Sequence, residues 1–341
     1  MERKIAILGA SGYTGGELLR LIATHPQMRV AALAAERNAG RRVGEVFAHL
    51  AHLGLPDLVK TEAVDFADID LAFLALPHGV SHALVRRIPA HVKVVDLSAD
   101  FRLRDPEAYR RWYGQEHGAP DLQHEAAFGI PELYRDRIAR ARIVANSGCY
   151  VATSLLALVP PLRAGALAPE GIVIDAKSGV SGAGRALKEA MLYCEVNEGF
   201  AAYGLAGHRH MGELDQELSL AAGAPVQASF TPHLVPMSRG MMATIYACGD
   251  AARVHCALAD IYKDEPFVSV LPPGEVPQTR HVRASNRCHI GVVADRAPGR
   301  VILVSVLDNL VKGASGQALQ CANIMLGLEE TAGLTLAPVF P

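Results

Sequence analysis

No two cysteines in this chain are spaced C-x-x-C. The six, at positions 149, 194, 248, 256, 288 and 321, follow neither a zinc-ligand nor a disulfide-framework pattern. A reducing cytoplasm suits such thiols. No block rich in lysine and arginine stands out, and the formal net charge is −2, so composition gives no case for nucleic-acid binding. No apolar run is long enough to span a membrane. The first run, residues 5–10, is too short for a signal peptide and leads into a glycine turn. Internal repeats and low-complexity segments are absent. What is present is half hydrophobic and one-fifth charged, the composition of a soluble globular protein. Its 341 residues suit two domains better than one core.

Residues 4–8 read as a buried strand, and residues 17–22 have helical spacing. Between them lie Gly9, Ser11, Gly12, Tyr13, Thr14 and Gly15, a turn of spacing G-x-x-G-x-x-G. Strand, glycine turn and helix are what a pyrophosphate site needs, because glycine lets the backbone approach the phosphates and the helix start supplies N–H donors. The spacing departs from G-x-G-x-x-G, so the context carries the reading of a dinucleotide site. A second strand, residues 29–34, ends at Glu36 and Arg37, with Arg41 and Arg42 close behind. Glu36 alone would suit the ribose 2′-hydroxyl of NAD, whereas the arginines suit the 2′-phosphate of NADP; the balance favours NADP. Further strands are predicted at 70–76 and 92–97, with His78, Ser98 and Arg102 just beyond their carboxyl ends, where open parallel sheets collect ligands. Arg102 is a candidate for a substrate phosphate or carboxylate, or for a salt bridge with Asp100 or Asp105.

Cys149 follows a strand-like stretch (141–145) and a polar turn, and precedes an apolar stretch of helical character (151–159). A thiol at a helix mouth meets unpaired N–H groups and the positive end of the dipole, which favour thiolate. Ser147 is positioned to cap that helix. The alternative is a buried, inert cysteine. Downstream, residues 171–176 read as a strand running into the small-residue loop 177–185, where Ser178 and Arg185 are candidates to hold substrate. His208 and His210 are two apart, do not share a helix face, and make no metal signature; no metal is expected. One of them beside a thiol would serve as its base. Strands predicted at 228–231, 243–248 and 301–306 follow one another closely, as in an α+β domain with a mixed or antiparallel sheet. The expected organisation is a Rossmann-type α/β domain at 1–148, a catalytic and oligomerisation domain at 149–312, and a terminal helix at about 313–330 packing back on the first, with Asn309 and Gly313 placed near the nicotinamide.

Several ordered runs together resemble the N-acetyl-γ-glutamyl-phosphate reductase family, relatives of aspartate-semialdehyde and glyceraldehyde-phosphate dehydrogenases. They are the turn from Gly9 to Gly15, Leu76-Pro77-His78-Gly79, residues 96–103, 129–134 and 146–150, Gly207-His208-Arg209-His210, residues 230–237 with Arg239-Gly240, and 308–313. The resemblance implies Cys149 as nucleophile and His208 as its acid–base partner, with His210 a substrate contact and NADP(H) along the first glycine turn. It also implies reduction of a small-molecule acyl phosphate in arginine synthesis, and a homodimer or homotetramer without membrane or nucleic-acid partners. Proline is usual in the family where this chain has Ser147, and an aliphatic residue is frequent at Met241. Alternatives are aspartate-semialdehyde dehydrogenase, a carrier-linked aminoadipyl-phosphate reductase, and a cofactor-sensing regulator without chemistry. A cysteine hydrolase would leave the glycine turn unexplained.

Overall fold

Among residues 2–340, which the computed structural model describes, fourteen strands form two seven-stranded sheets, one in each of two compact units. Residue 1, the first of the expected domain, lies outside the described residues. Residues 2–147 and 314–335 make the first unit, and 148–313 and 336–340 the second. The fold class is the expected one, a Rossmann-type sheet and a mixed sheet.

The strands of the first unit are β1 (Arg3–Leu8), β2 (Met28–Ala34), β3 (Leu58–Val59), β4 (Leu71–Leu74), β5 (Lys93–Asp96), β6 (Ala126–Gly129) and β7 (Ile143–Asn146). Their order is β3-β2-β1-β4-β5-β7-β6, and every neighbouring pair is parallel. Parallel strands are covered on both faces, which is why their sequences are continuous apolar runs. Ile5, Ile7, Leu71, Phe73, Val94 and Val144 are fully buried. Helices α1 (Tyr13–Ile22), α2 (Val43–Val46), α3 (Ser81–Arg87), α4 (Pro106–Tyr113) and α5 (Pro131–Arg140) accompany the strands. The strand order reverses between β1 and β4, the switch point at which such sheets open a ligand crevice. The glycine turn leaves β1 at that place. β7 begins two residues later than expected, because the Ala141 N–H closes α5 on the Ile138 carbonyl (3.2 Å).

The second unit contains β8 (Val173–Gly179), β9 (Ala201–Ala202), β10 (Ser229–Val235), β11 (Met241–Cys248), β12 (Val268–Val270), β13 (Cys288–Ala294) and β14 (Arg300–Leu307), ordered β12-β13-β14-β11-β8-β10-β9. The pairs β8/β10 and β12/β13 are parallel and the others antiparallel. Its helices are α6 (Cys149–Arg163), α7 (Tyr193–Val196), α8 (His210–Ala222) and α9 (Ala251–Tyr262). α6 is apolar all round because it is the core: it packs on β11, β14, α8 and α9, and its residues from Tyr150 to Leu162 are buried. The Tyr262 hydroxyl pins it from α9 by donating to the Leu156 carbonyl (2.7 Å). Cys149, at its first position, is half-buried.

The last helix, α10 (Gly316–Met325), belongs to the first unit. It lies within the expected stretch of about 313–330 and starts three residues into it, following a π-turn over Val311–Ser315 in which the Gly313 N–H donates to the Asp308 carbonyl (2.9 Å). Within that unit the Ser315 hydroxyl donates to the Thr14 carbonyl (2.9 Å), and Gln320 bridges Glu132 and Glu330. Among the described residues no helix is long and apolar enough to cross a membrane.

Candidate active site

In the first unit, Gly9 holds φ +88°, and a Cβ there would run into the Ala75 carbonyl oxygen. The N–H groups of Gly9 and Ala10 both donate to the Ala34 carbonyl (2.9 Å each). At Gly15 a Cβ would fall 2.6 Å from the Gly9 carbonyl oxygen, so only glycine lets α1 sit down on the turn. Gly12 is the N-cap of α1 and no side chain caps the helix, which leaves its first N–H groups facing out. Ser11, Tyr13 and Thr14 line the same turn. The Glu36 carboxylate accepts from the Thr61 N–H (3.0 Å), an interaction that lowers its pKa. Arg41 and Arg42 pair with Glu45. Arg37 is exposed and has no side-chain partner among the described residues. Arg102 is buried, with Nη2 donating to the Leu97 carbonyl (3.0 Å). Ser98 is spent on Asp96, a fully buried carboxyl pushed up to about 6 by burial first and by Asp100 second.

The second unit builds its centre on Cys149. Gly148 caps α6 at φ −66°, ψ 149°, without a side-chain bond. The expectation that Ser147 caps it is therefore corrected. Ser147 is buried in the first unit, and its hydroxyl accepts from Gln317 Nε2 (2.9 Å), so that oxygen is held by α10. The Gly148 N–H instead donates to Oε2 of Glu213 (3.0 Å), a fully buried carboxylate on α8. The other oxygen, Oε1, faces His210 Nε2 at 4.0 Å. His210 lies directly on Gly148, where a Cβ would come within 2.5 Å of Nε2. On another side a Cβ at Gly313 would be 2.9 Å from the Cys149 Cβ. Bare backbone thus borders the thiol twice.

His208 stands in a ring of aromatics: Tyr150 at 5.8 Å, Tyr203 at 5.6 Å, Phe230 at 5.4 Å and the His210 ring at 4.7 Å. Burial, with help from the neighbouring Arg209 charge, pushes its pKa down to about 4, so the imidazole is neutral at pH 7 and accepts at Nδ1 from the His210 N–H (3.2 Å). Tyr150 donates to the His233 carbonyl (3.0 Å) and receives the Tyr203 hydroxyl (3.1 Å). Burial raises both tyrosine pKa values, and the charge of a Cys149 thiolate adds to each shift.

The remaining sequence candidates divide. Ser178 is buried at the end of β8 and donates to the Gly179 carbonyl (3.0 Å). Asn309 is buried with both ends of its amide engaged, Oδ1 by the Gly240 N–H and Nδ2 by Ser181 Oγ (2.9 Å each). Arg185 is exposed on the long connection after β8. Three groups at the thiol had no assigned role in the sequence reading. Glu213 carries a detectable signal, since it stands three residues after His210 on one helix face. Gly148 lies in the run 146–150 that carries the family resemblance, and Tyr203 carries no signal. No group of three or more His, Cys, Asp or Glu among the described residues could hold a metal.

Residues 4–141 match the family described as semialdehyde dehydrogenase, NAD binding domain, and residues 149–309 match semialdehyde dehydrogenase, dimerisation domain. The N-acetyl-gamma-glutamyl-phosphate reductase of Ruegeria pomeroyi is 59% identical over 100% of both chains, and that of Cereibacter sphaeroides is 58% identical over the same extent. Among solved structures, aspartate semialdehyde dehydrogenase II of Vibrio cholerae is similar in fold at a TM-score of 0.73, with 18% identity, covering 96% of this chain and 99% of its own. With full-length identity of this order, the chain belongs to the N-acetyl-gamma-glutamyl-phosphate reductase family, within the wider semialdehyde dehydrogenases.

Proposed function

We propose that the protein reduces N-acetyl-γ-glutamyl phosphate to N-acetylglutamate 5-semialdehyde with NADPH, releasing phosphate, as a step of arginine synthesis in the cytoplasm. The observation that carries this reading is Cys149, a half-buried thiol at the mouth of a core helix, between Gly148, on which His210 lies and which donates to the buried Glu213, and Tyr150, whose ring meets both histidines.

The glycine turn fits a dinucleotide. Gly9, Ser11, Gly12, Tyr13, Thr14 and Gly15 would hold the pyrophosphate against the uncapped start of α1. Glu36 is already engaged by Thr61, while Arg37 is unengaged and suits a 2′-phosphate. When bound, the nicotinamide supplies the hydride that reduces the acyl carbon. We assign Asn309 and Gly313 to the nicotinamide end, and Arg102, Ser178 and Arg185 to the substrate anions.

The chain's own residues do the rest. The Cys149 sulfur attacks the γ-carbonyl carbon, the carbon–oxygen bond to phosphate breaks, and phosphate leaves with that electron pair. The thiol proton passes to an imidazole and on to the departing phosphate oxygen. The product is a thioester, which accepts hydride where a carboxylate would not. After reduction the carbon–sulfur bond breaks, the carbonyl re-forms as aldehyde, and Cys149 returns as thiolate. First-turn N–H groups of α6 are suited to the oxyanion, a contribution of about 3–4 kcal/mol in comparable sites. The family resemblance gives the proton transfer to His208. Geometry favours His210, which rests on Gly148 with Glu213 behind it, an orienting third group of the kind nucleophile–base pairs use.

One assay tests the whole reading. With phosphate and NADP, N-acetylglutamate semialdehyde is expected to support turnover about a hundredfold above aspartate or aminoadipate semialdehyde. NADP is expected to exceed NAD by about tenfold or more in kcat/KM. A preference for another semialdehyde, or for NAD, overturns the corresponding assignment.

We also propose a homodimer or homotetramer formed through the second unit. In register across four strands, Val173, Tyr246, Ile302 and Val293 are half-buried, while their alternates Ile174, Ile245, Leu303 and Val292 are buried. That alternation leaves one sheet face with an apolar row, which a second copy's sheet would cover. Ile302→Asp is expected to shift the sedimenting species to monomer; an unchanged assembly sinks this placement.

A further inference from the structure

Between β8 and α8 the chain makes a long excursion of little regular structure. Leu187, Leu192, Tyr193, Phe200 and Leu205 on it are exposed. Connections this long, carrying only single turns and a two-residue strand, are uncommon and usually functional. At its far end it grips the sheet. Ala201 and Ala202, as β9, pair with Leu234 and His233 of β10, Phe200 stacks on the His233 ring (5.2 Å), and the Tyr203 N–H donates to the Pro232 carbonyl (3.1 Å). Tyr203 is still 39% exposed, but its hydroxyl turns inward. Its hydroxyl donates to Tyr150, the residue after the thiol, and its ring stands edge-on to His208. Gly204, at φ +59°, brings the backbone so close that a Cβ would lie 3.2 Å from the His208 ring.

We propose that Tyr203 is a positioning residue: it fastens this strap over the site, fixes Tyr150 through its hydroxyl, and walls His208 from water with its ring. The proposal rests on the reading of Cys149 and the histidine pair as the reacting centre. His208 in turn accepts from the His210 N–H, so a displaced His208 releases the start of α8 that presents His210 and Glu213. Other groups facing His208 are Arg209, the His210 ring, and the Tyr150 and Phe230 rings. None of these replaces the wall that Tyr203 provides.

Two variants of the full chain separate the hydroxyl from the ring. Tyr203→Phe keeps the wall and removes one hydrogen bond; kcat is expected to fall about five- to tenfold with KM for NADP unchanged. Tyr203→Ala removes both. Its kcat is expected to fall further, and the His208 titration, followed by the imidazole proton resonance, to move from about 4 toward the ordinary 6.5. A merely structural residue would not move that midpoint in a folded variant. The proposal is overturned if both variants keep kcat within about twofold of the parent, the scale of a lost exposed contact, or if the folded alanine variant titrates as the parent does. Should the alanine variant fail to fold, the phenylalanine variant's kcat-against-KM split decides. If Cys149→Ala retained turnover the reading of the site would fail, yet the His208 titration would still judge the strap.

Discussion

Cys149→Ala is expected to lower phosphate-dependent reduction of NADP by about 10⁴-fold or more, since loss of a nucleophile removes the covalent route itself. Binding of NADP to the first unit, read by quenching or calorimetry, is expected to stay within about twofold, because the glycine turn is built from β1, α1 and Ser315 of that unit. Cys149→Ser is expected to be nearly as inactive: a hydroxyl at a helix start does not ionise near pH 7 as a thiol can. Mass spectrometry adds a direct readout. The parent mixed with acyl phosphate and no reduced nucleotide should carry an acyl adduct on the peptide containing Cys149. Near-normal turnover in the alanine variant, or an adduct on Cys194 or Cys256, which are exposed thiols, would sink the mechanism.

The second large effect divides the two histidines. His210→Asn is expected to lower kcat by about 10²–10⁴-fold, the range for a lost acid–base group. His208→Asn is expected to lower it less and to leave the pH–rate limbs where they are, because a group pushed down to about 4 is already neutral over the working range. The reverse order of effects returns the proton transfer to His208. Glu213→Gln keeps the shape and the acceptor for the Gly148 N–H while deleting the charge opposite His210. It is expected to cost about tenfold in kcat, with the acid limb moving downward in pH: a carboxylate beside an imidazole stabilises its protonated form, so removing it lowers the imidazole pKa. A limb that moves downward therefore assigns it to His210 itself, and one that does not move at all overturns the coupling between Glu213 and His210.

Much of this was legible from local pattern. The Gly9 turn declares itself because its three glycines answer to constraints within a few residues and one neighbouring strand, β4. Cys149 declares itself for the same reason, between a short buried strand and an apolar helix. The longer parallel strands declare themselves because burial on both faces writes a continuous apolar run; the two-residue β3, and β6 and β13, with Gly129 or with His289 and Gly291 inside them, do not. What sequence could not give was pairing at long range. Ser147 looks like a cap by its neighbours, but its hydroxyl meets Gln317, 170 positions later. Gly313 reaches the thiol from the far end of β14. Tyr203 has an exposed, irregular stretch for its context, where no periodicity marks a side chain that turns inward.

The two bare backbones beside Cys149 carry a consequence for inhibitor chemistry. With the His210 ring resting on Gly148 and Gly313 against the thiol's own Cβ, neither position has room for a side chain. Enlarging Gly148 would drive a Cβ into the His210 ring, and enlarging Gly313 would drive one into the Cys149 side chain, so resistance through either glycine would damage the enzyme's own reaction first.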